Sequence, residues 1–332
     1  MELFKTSPEI QEFVDRAFAD EGFEADELVR MFQVRPYSPD YYLMQWAARE
    51  LVWQSADGEA ILHAQIGIDA YPCPMDCLGC SFASMNNKRP EAEYEMPLDE
   101  IIAYAKKYVE QGANTLTVMI TEPYDREQYL EYICAIREAI GPDMPIMANM
   151  GDFDEAFAQR LRETSVRSIF HSVRMGEGTK YSKIPADRRF ATLAAARSAD
   201  LKISGGIEGI GPEYDDAEIA AMMLRYQSFK PEQSFADGLL KVPDTVGENA
   251  VYYGKGRMAT YEAAYRFLGG THQRYGGANC GWAEVGTNPR DHSSHTEIDG
   301  IITTSKVSVE NLRKNLEEDG YTVRFGPVDF WN

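Results

Sequence analysis

Short apolar runs alternate with amphipathic stretches along this chain from about residue 60 onward. Within LDEIIAYAKKYVEQG, the residues Ile101, Ala105 and Tyr108 recur near the helical period until Gly112 ends the pattern. Short β-like runs separated by such stretches predict βα units around a parallel sheet. The predicted strands read ILHAQIGIDA, NTLTVMIT, MPIMANMG, RSIFHSVRM, LKISGGIEGIG, FADGLLKV, a weaker QRYGGANCG, and GIITT.

The number of these units predicts the fold class. Eight strands with their helices predict an α/β protein with a (β/α)8 TIM-type barrel over residues 56–332. A helical N-terminal cap is predicted over residues 1–55. Catalytic groups in such barrels lie at the carboxyl ends of the strands. The segment YPCPMDCLGC, directly after the first strand, therefore falls where chemistry is expected.

Composition and charge argue against several classes of protein. The 332 residues are 44% hydrophobic, which suits a globular chain, and a formal net charge of -20 opposes nucleic-acid binding. No apolar run approaches the roughly 18 residues that span a bilayer, and the N-terminus lacks a signal-peptide pattern. Five cysteines, three of them clustered, do not resemble a disulfide framework. We expect a soluble, unprocessed protein of the cytoplasm, with no nucleic-acid or membrane partner.

Three cysteines form the strongest chemical motif. Cys73, Cys77 and Cys80 are spaced C-x3-C-x2-C, and no fourth cysteine follows nearby. Thiolates are the usual ligands of iron-sulfur clusters, and three of them on a cubane would leave one iron open. The alternative is a zinc site completed by a distant histidine or cysteine, since structural zinc usually takes four protein ligands.

This motif at the end of the first strand of a (β/α)8 chain resembles the radical S-adenosylmethionine (SAM) superfamily. The resemblance implies a [4Fe-4S] cluster on Cys73, Cys77 and Cys80, whose open iron binds the amino and carboxylate groups of SAM. It further implies a 5′-deoxyadenosyl radical, formed by one-electron reduction, that abstracts a hydrogen atom from a small-molecule substrate. An electron donor such as flavodoxin or ferredoxin is the implied protein partner.

The same resemblance implies contacts to SAM. Thr121 and Glu122, in LTVMITEP, match positions for the methionine amino group, and SGGIEGIG resembles a glycine-rich strand along the adenosyl moiety. Arg189 matches an arginine directed at the SAM carboxylate. Gly79 stands where an aromatic residue usually precedes the third cysteine, and Phe82 is the expected substitute. The expected contacts are Thr121, Glu122, Phe82, Arg189, Gly206, Ile207 and Gly209.

Over residues 60–320 the chain is similar to the branch of biotin synthase, methylornithine synthase and the hydrogenase maturase. The segments on which this similarity rests are HSVRMGEGTKYSKI, SGGIEGIG, LLKVPDT and HQRYGGA. Biotin synthase takes sulfur from a second cluster on three cysteines and an arginine. The positions of these three cysteines correspond to the neighbourhoods of Val118, Ala148 and Ile203, where this chain has no cysteine. Only the arginine ligand has a counterpart, Arg274. Rearrangement, fragmentation or other C-H chemistry in a biosynthetic pathway is therefore expected.

The resemblance also suggests how substrate is held. His171, Ser172 and Arg174 match substrate-facing positions on the fourth strand, and Asp237 matches one on the sixth. With Arg274, Arg174 would clamp a carboxylate, which predicts a small carboxylated or amino-acid-like substrate. The alternative is that either arginine pairs with a structural acid. The expected catalytic residues are Cys280, Arg174 and Asp237.

Two further cysteines leave other possibilities open. Cys134 shares its spacing with Leu130 and Ile133, which predicts a buried core thiol. Cys280, in GGANCGWAEVG, is predicted on a glycine-rich loop at the catalytic face, where it would donate a hydrogen atom or ligate a metal. A metal site with His292 and His295 is a weaker hypothesis. Sulfur insertion with a non-standard second cluster and a non-catalytic iron-sulfur protein both stay as alternatives.

Overall fold

The computed structural model describes residues 4–88, 90–91, 94–239, 242, 244–276, 280–286 and 308–328, with backbone alone for 281–286. No described helix has both the length and the apolar character that crossing a bilayer requires. The helices are α1 (Pro8–Phe18), α2 (Ala25–Phe32), α3 (Pro39–Ser55), α4 (Leu98–Glu110), α5 (Arg126–Ile140), α6 (Glu155–Glu163), α7 (Ala186–Ser198), α8 (Asp216–Gln227), α9 (Lys255–Gly269) and α10 (Val309–Glu318). The strands are β1 (Glu59–Gly67), β2 (Thr115–Met119), β3 (Ile146–Asn149), β4 (Val166–Phe170), β5 (Val173–Arg174), β6 (Lys202–Ile210), β7 (Gln233–Gly238), β8 (Cys280–Gly286) and β9 (Thr322–Val323).

The first three helices are built by local signals. Ser7 and Ser38 are the N-caps of α1 and α3, and each side chain accepts a backbone N–H while proline follows at the first turn. The helices pack on α9, where the rings of Phe32 and Tyr261 lie 4.4 Å apart. They share one apolar core with the barrel. The division into a cap and a barrel at residue 55 stays a prediction.

The described strands form a curled parallel sheet. Its order is β5-β6-β4-β3-β2-β1-β8, with β7 beside β6 and β9 beside the start of β1. A single parallel bridge between Gln233 and Tyr275 brings the chain before β8 next to β7. The sheet with its outer helices confirms the predicted α/β class and places it among TIM-type, partly closed barrels. The segment predicted as GIITT lies outside the described residues.

The two faces of the sheet differ in chemistry. Along β1, Leu62 and Ala64 belong to the main apolar core, whereas the alternate residues His63 and Gln65 do not. The neighbouring strand repeats the division, with inward Thr117 fully buried. Barrel interiors are usually filled with branched apolar residues. The interior of this barrel instead combines buried polar side chains with apolar residues such as Ile61 and Met147.

We expect the substitution Asn114→Ala to lower the free energy of unfolding by about 2–4 kcal/mol. Asn114 is fully buried, accepts the N–H of Leu62 at 2.7 Å, and donates to the carbonyls of Arg324 and Gly326 at 2.8 and 2.7 Å. Alanine leaves these buried groups without their partner. Chemical denaturation of both proteins measures the change.

The matched control is Asn315→Ala, because Asn315 is exposed on α10. We expect a change within about 0.5 kcal/mol for this variant. Equal stability of Asn114→Ala and the control would show that the Asn114 hydrogen bonds contribute nothing to the fold.

Candidate active site

The three clustered cysteines lie on one folded loop after β1, which we call the cysteine loop (residues 71–84). Cys73 donates its backbone N–H to Phe82 at 2.7 Å and accepts from Ser84 at 2.9 Å. A further backbone bond joins Cys80 to Cys77 at 3.1 Å. All three thiols are half-buried and unlinked by disulfides. Internal hydrogen bonds thus hold the thiols on one short segment.

Loops that follow other strands fix the cysteine loop over the barrel mouth, meaning the carboxyl ends of the strands. Leu78 donates its N–H to Tyr181 at 2.9 Å and accepts from Gly247 at 2.9 Å. Lys183 donates its N–H to Met75, also at 2.9 Å. Because these partners come from the segments after β5 and after β7, the thiols are placed over the mouth.

The surroundings of the thiols fit a cubane cluster. Cys73 and Cys80 pack against Phe82 and Met119, and burial raises the pKa of Cys73 to about 11. Thiols in such surroundings stay protonated until a metal replaces the proton. No three ligating side chains in the described part of the chain converge on one ion. A cubane does not need that convergence, because its ligands bind different iron atoms.

Asp69 organises the end of β2 next to the cysteine loop. Its carboxylate accepts the backbone N–H of Thr121 at 2.7 Å and the Thr121 hydroxyl. Burial raises the pKa of Asp69 to about 6, although the hydrogen bonds from Thr121 oppose the shift. Sequence reasoning found Thr121 and missed Asp69, although an acid between a buried strand and the cysteines was visible.

Asp152, which follows β3, contacts the side chains of Arg188, Arg189 and His171. Its Oδ1 atom lies 3.1 Å from Arg189 Nη1 and 3.2 Å from His171 Nε2. Its Oδ2 atom lies 3.1 Å from Arg188 Nε, and Arg188 also contacts Glu122 at 2.7 Å. Burial opposes ionisation of Asp152, but the hydrogen bond from His171 and the charge of Arg189 hold its pKa well below the usual range.

This network determines the positions of several predicted contacts. The guanidinium of Arg189 is buried and donates to the carbonyl of Ser172 at 2.7 Å and 3.2 Å. The side chain of Arg188 is 45% exposed and holds Glu122. His171 faces Asp152, and burial lowers its pKa to about 4. The roles predicted for His171, Ser172, Arg189 and Glu122 stay predictions, and Asp152 is a residue that sequence reasoning missed.

Three charged residues stand side by side at the ends of adjacent strands. Arg174 pairs with Glu208 in the register of β5 with β6, and its Nε lies 2.7 Å from Glu208 Oε2. Asp237 follows Ala236, the register partner of Ile207, so it lies next to Glu208. Burial and the charge of Glu208 raise the pKa of Asp237 to about 7. We call Arg174, Glu208 and Asp237 the charged row.

The charged row stands above a mixed wall inside the barrel. The rings of Phe170 and Phe235 are stacked with centroids 6.0 Å apart. Beside them, Asn149 donates to Gln65 at 3.0 Å across the sheet. Aromatic faces with a few polar groups are typical of small-molecule sites.

Close packing of neighbouring backbone explains why β6 contains glycines. Gly205 has a φ of +143°, and an added Cβ would lie 2.7 Å from the carbonyl oxygen of His171. A Cβ on Gly206 would lie 1.9 Å from the carbonyl oxygen of Phe235. Neighbouring backbone therefore requires glycine here, whether or not an adenosyl group lies alongside. Ile207 is fully buried in the main core.

The structure corrects the position expected for Arg274. Its Nη2 atom lies 2.9 Å from Glu59 Oε2, and Glu59 is the first residue of β1. Arg174 is at the opposite end of the barrel, so the two arginines cannot clamp one carboxylate. The alternative of a structural acid as partner is the correct one for Arg274.

Cys280 and Cys134 also lie elsewhere than expected. Cys280 is the buried first residue of β8, paired in register with Ile61, rather than part of a loop at the catalytic face. Gln233 Nε2 lies 2.9 Å from its sulfur, and burial raises its pKa well above the usual range. Cys134 is exposed on α5, not buried in the core. The proposed partners His292 and His295 lie outside the described residues.

Fold and site together define a class: a parallel α/β barrel with three thiols at its mouth. The profile of the Radical SAM superfamily matches residues 71–225. A biotin synthase of Agrobacterium fabrum is 28% identical over 184 residues, covering 54% of this chain and 54% of that protein. One of Neorickettsia sennetsu is 26% identical over 228 residues, covering 67% and 68%. The chain thus spans about half the length of the first relative.

Two solved structures share the fold. The FeFe-hydrogenase maturase HydG of Carboxydothermus hydrogenoformans has a TM-score of 0.72 at 15% identity, covering 96% of this chain and 79% of that chain. Methylornithine synthase has a TM-score of 0.69 at 14% identity, covering 96% and 98%. Residues 71–225 match the radical SAM superfamily, whose enzymes use a [4Fe-4S] cluster and SAM as cofactors, and the two solved structures agree with that match in fold. The predictions of family, enzyme and cofactors are confirmed.

We expect Cys73→Ala, Cys77→Ala and Cys80→Ala each to lose most of the iron and sulfide that the unchanged protein binds. The unchanged protein should hold about four of each per chain, because a cubane contains four of both. Iron and acid-labile sulfide measured after anaerobic reconstitution test this expectation.

Cys134→Ala is the matched control, because its thiol is exposed on α5, away from the cysteine loop. It should keep the full content of iron and sulfide. Full loading of any of the three loop variants, or zinc in place of iron in the unchanged protein, would contradict the assignment of the cluster ligands.

Proposed function

We propose that this chain uses radical SAM chemistry to abstract a hydrogen atom from a small carboxylated or amino-acid-like substrate. The product would arise by rearrangement or other C-H chemistry within a biosynthetic pathway. The observation that carries the proposal is the position of Arg174. Its guanidinium lies 5.8 Å from the centre of the Tyr181 ring, and Tyr181 accepts the backbone N–H of Leu78 in the cysteine loop, so Arg174 and the three thiols share one barrel mouth.

Cys73, Cys77 and Cys80 would hold the cluster, and Thr121, Glu122, Phe82 and Arg189 are proposed to contact SAM. When bound, the cluster and SAM supply a 5′-deoxyadenosyl radical to the substrate. The fully buried Asp69 and Asp152 keep the ends of β2 and β3 in place through hydrogen bonds to Thr121 and Arg189. Such buried networks hold side chains in one arrangement.

The remaining residues of the mouth bind and shield the substrate. Arg174 offers a planar guanidinium that suits a carboxylate. The stacked rings of Phe170 and Phe235 exclude water from the pocket floor, which protects a reactive intermediate from side reactions. In this proposal, Arg174 orients the substrate carboxylate, and the rings of Phe170 and Phe235 position the C-H bond of the substrate that reacts.

Sulfur insertion is less well supported. Cys134 is exposed on an outer helix, and Cys280 is buried at the amino end of the barrel. Neither thiol is placed to hold a second cluster beside the substrate. The positions that correspond to the cluster-binding cysteines of biotin synthase are occupied here by apolar residues of the main core, namely Val118, Ala148 and Ile203.

The proposed electron donor is a small redox protein such as flavodoxin or ferredoxin. The chemistry begins when the cluster accepts one electron, which such a donor would supply. The half-buried cysteines of the loop lie close enough to the surface for a donor to approach.

We expect the reconstituted, dithionite-reduced protein to release 5′-deoxyadenosine from SAM, and carboxylated small molecules to accelerate the release. For the variant Arg174→Gln, the same acceleration should require a concentration of the carboxylated compound that is higher by about 30-fold or more, because the bound carboxylate loses its cationic partner. Chromatography of anaerobic reactions measures the product.

Arg225→Gln serves as the matched control, since Arg225 pairs with Asp187 on the outer helices and is 48% exposed. It should respond like the unchanged protein. If the loaded, reduced protein forms no 5′-deoxyadenosine under any condition, a non-catalytic iron-sulfur protein becomes the better interpretation.

A further inference from the structure

The barrel mouth contains more negative than positive charge around Arg174. Arg174 lies 2.7 Å from Glu208 and 3.7 Å from Glu177. Asp237 stands beside Glu208 on the next strand. Two carboxylates therefore face Arg174, and a third stands beside Glu208. The second guanidinium within reach, Arg189, lies 3.6 Å from Glu177 but already binds Asp152.

Two of these carboxylates have fewer partners than charged groups inside a protein normally have. Asp237 is half-buried, and among the described residues its side chain has neither an ion pair nor a hydrogen bond. The side chain of Glu177 is fully buried, and neither of its oxygens has a hydrogen-bond partner in the described part of the chain. Burial disfavours the charge of Glu177, and Asp237 and Glu208 repel each other as like charges, so a counter-charge would stabilise this site.

A ligand bound in the barrel mouth would supply this counter-charge. Glu208 is occupied by Arg174, so Asp237 is the carboxylate still able to accept from a cation. It lies two residues after Phe235 on the same face of β7, and the ring of Phe235 stacks on that of Phe170. A compact ammonium group fits beside two adjacent carboxylates, because it has three donors and one charge.

We propose that Asp237, with Glu208 beside it, binds a positively charged amino group of the substrate. The substrate is then an amine, with the amino acids as the simplest class that also satisfies Arg174, and not a plain carboxylic acid. This inference rests on the proposed function. It adds Glu208 to the substrate site and gives Asp237 a defined chemical role.

The test compares matched pairs of compounds. Each L-amino acid of proteins is paired with its 2-hydroxy acid, which keeps the carboxylate and side chain but removes the ammonium. The rate of 5′-deoxyadenosine release is measured with the loaded, reduced protein. We expect at least one amino acid to accelerate release and its hydroxy acid partner to have no effect. Equal acceleration by both partners, or no acceleration by any amine, would overturn the inference.

The variant Asp237→Asn locates the effect. We expect the KM for the accelerating amino acid to rise about 30-fold or more, while the KM for SAM stays unchanged. A change in the KM for SAM alone would assign Asp237 to the cosubstrate and overturn the inference. The matched control Asp319→Asn, at the exposed C-cap of α10, should behave as the unchanged protein.

Failure of the inference and failure of the proposed function give different results. Background release of 5′-deoxyadenosine by the unchanged protein, with no response to amines, overturns the inference alone. Absence of release under every condition overturns the proposed function. Because the paired compounds are compared on the unchanged protein, the test does not depend on the folding of Asp237→Asn.

Discussion

Parallel pairing of the strands is the constraint on which the site depends. Each strand of the curled sheet runs in the same direction, so all carboxyl ends open at one mouth. The cysteine loop follows β1, Asp152 follows β3, and Glu208 and Asp237 stand at the ends of β6 and β7. Gly247 and Leu78 thereby meet at the mouth, although 169 positions separate them in sequence. A single antiparallel strand would have placed its charged residue at the other end.

Buried charge is the second determinant of this mouth. Asp152 receives two arginines and a histidine, and desolvation is offset because each of its oxygens faces a cation or a donor. Asp237 lacks that compensation, which is reflected in its raised pKa. The two acids thus differ in what they can do. Asp152 is fully engaged with side chains of this protein, whereas the carboxylate of Asp237 can still accept hydrogen bonds from a ligand.

Much of the architecture could be predicted from local pattern, because a βα unit leaves its signal within a few dozen residues. The spacing of Cys73, Cys77 and Cys80 likewise carries its chemistry in eight positions. The positions of Arg274 and Cys280 could not be predicted, since they depend on where β8 begins and on its register with β1. A shift of a few residues moves a side chain from one end of the barrel to the other.

The missed residues share a different cause. Asp152 and Glu208 are ordinary acids in sequence, and only the fold brings them to Arg188, Arg189 or Arg174. No local motif distinguishes them from the many solvated acids of a chain with a net charge of -20. Long-range electrostatic partners are therefore the part of an active site that a sequence pattern conveys least.

The buried polar groups of the barrel interior show how stability and chemistry are divided in this fold. The hydroxyls of Thr115, Thr117 and Ser168 are fully buried and have no hydrogen-bond partner in the described part of the chain. Such groups lower stability relative to apolar side chains of the same shape. The apolar contacts that hold the fold lie instead between the outer face of the sheet and the helices. Because the outer face carries the stability, the interior can keep polar groups that a packed core would exclude.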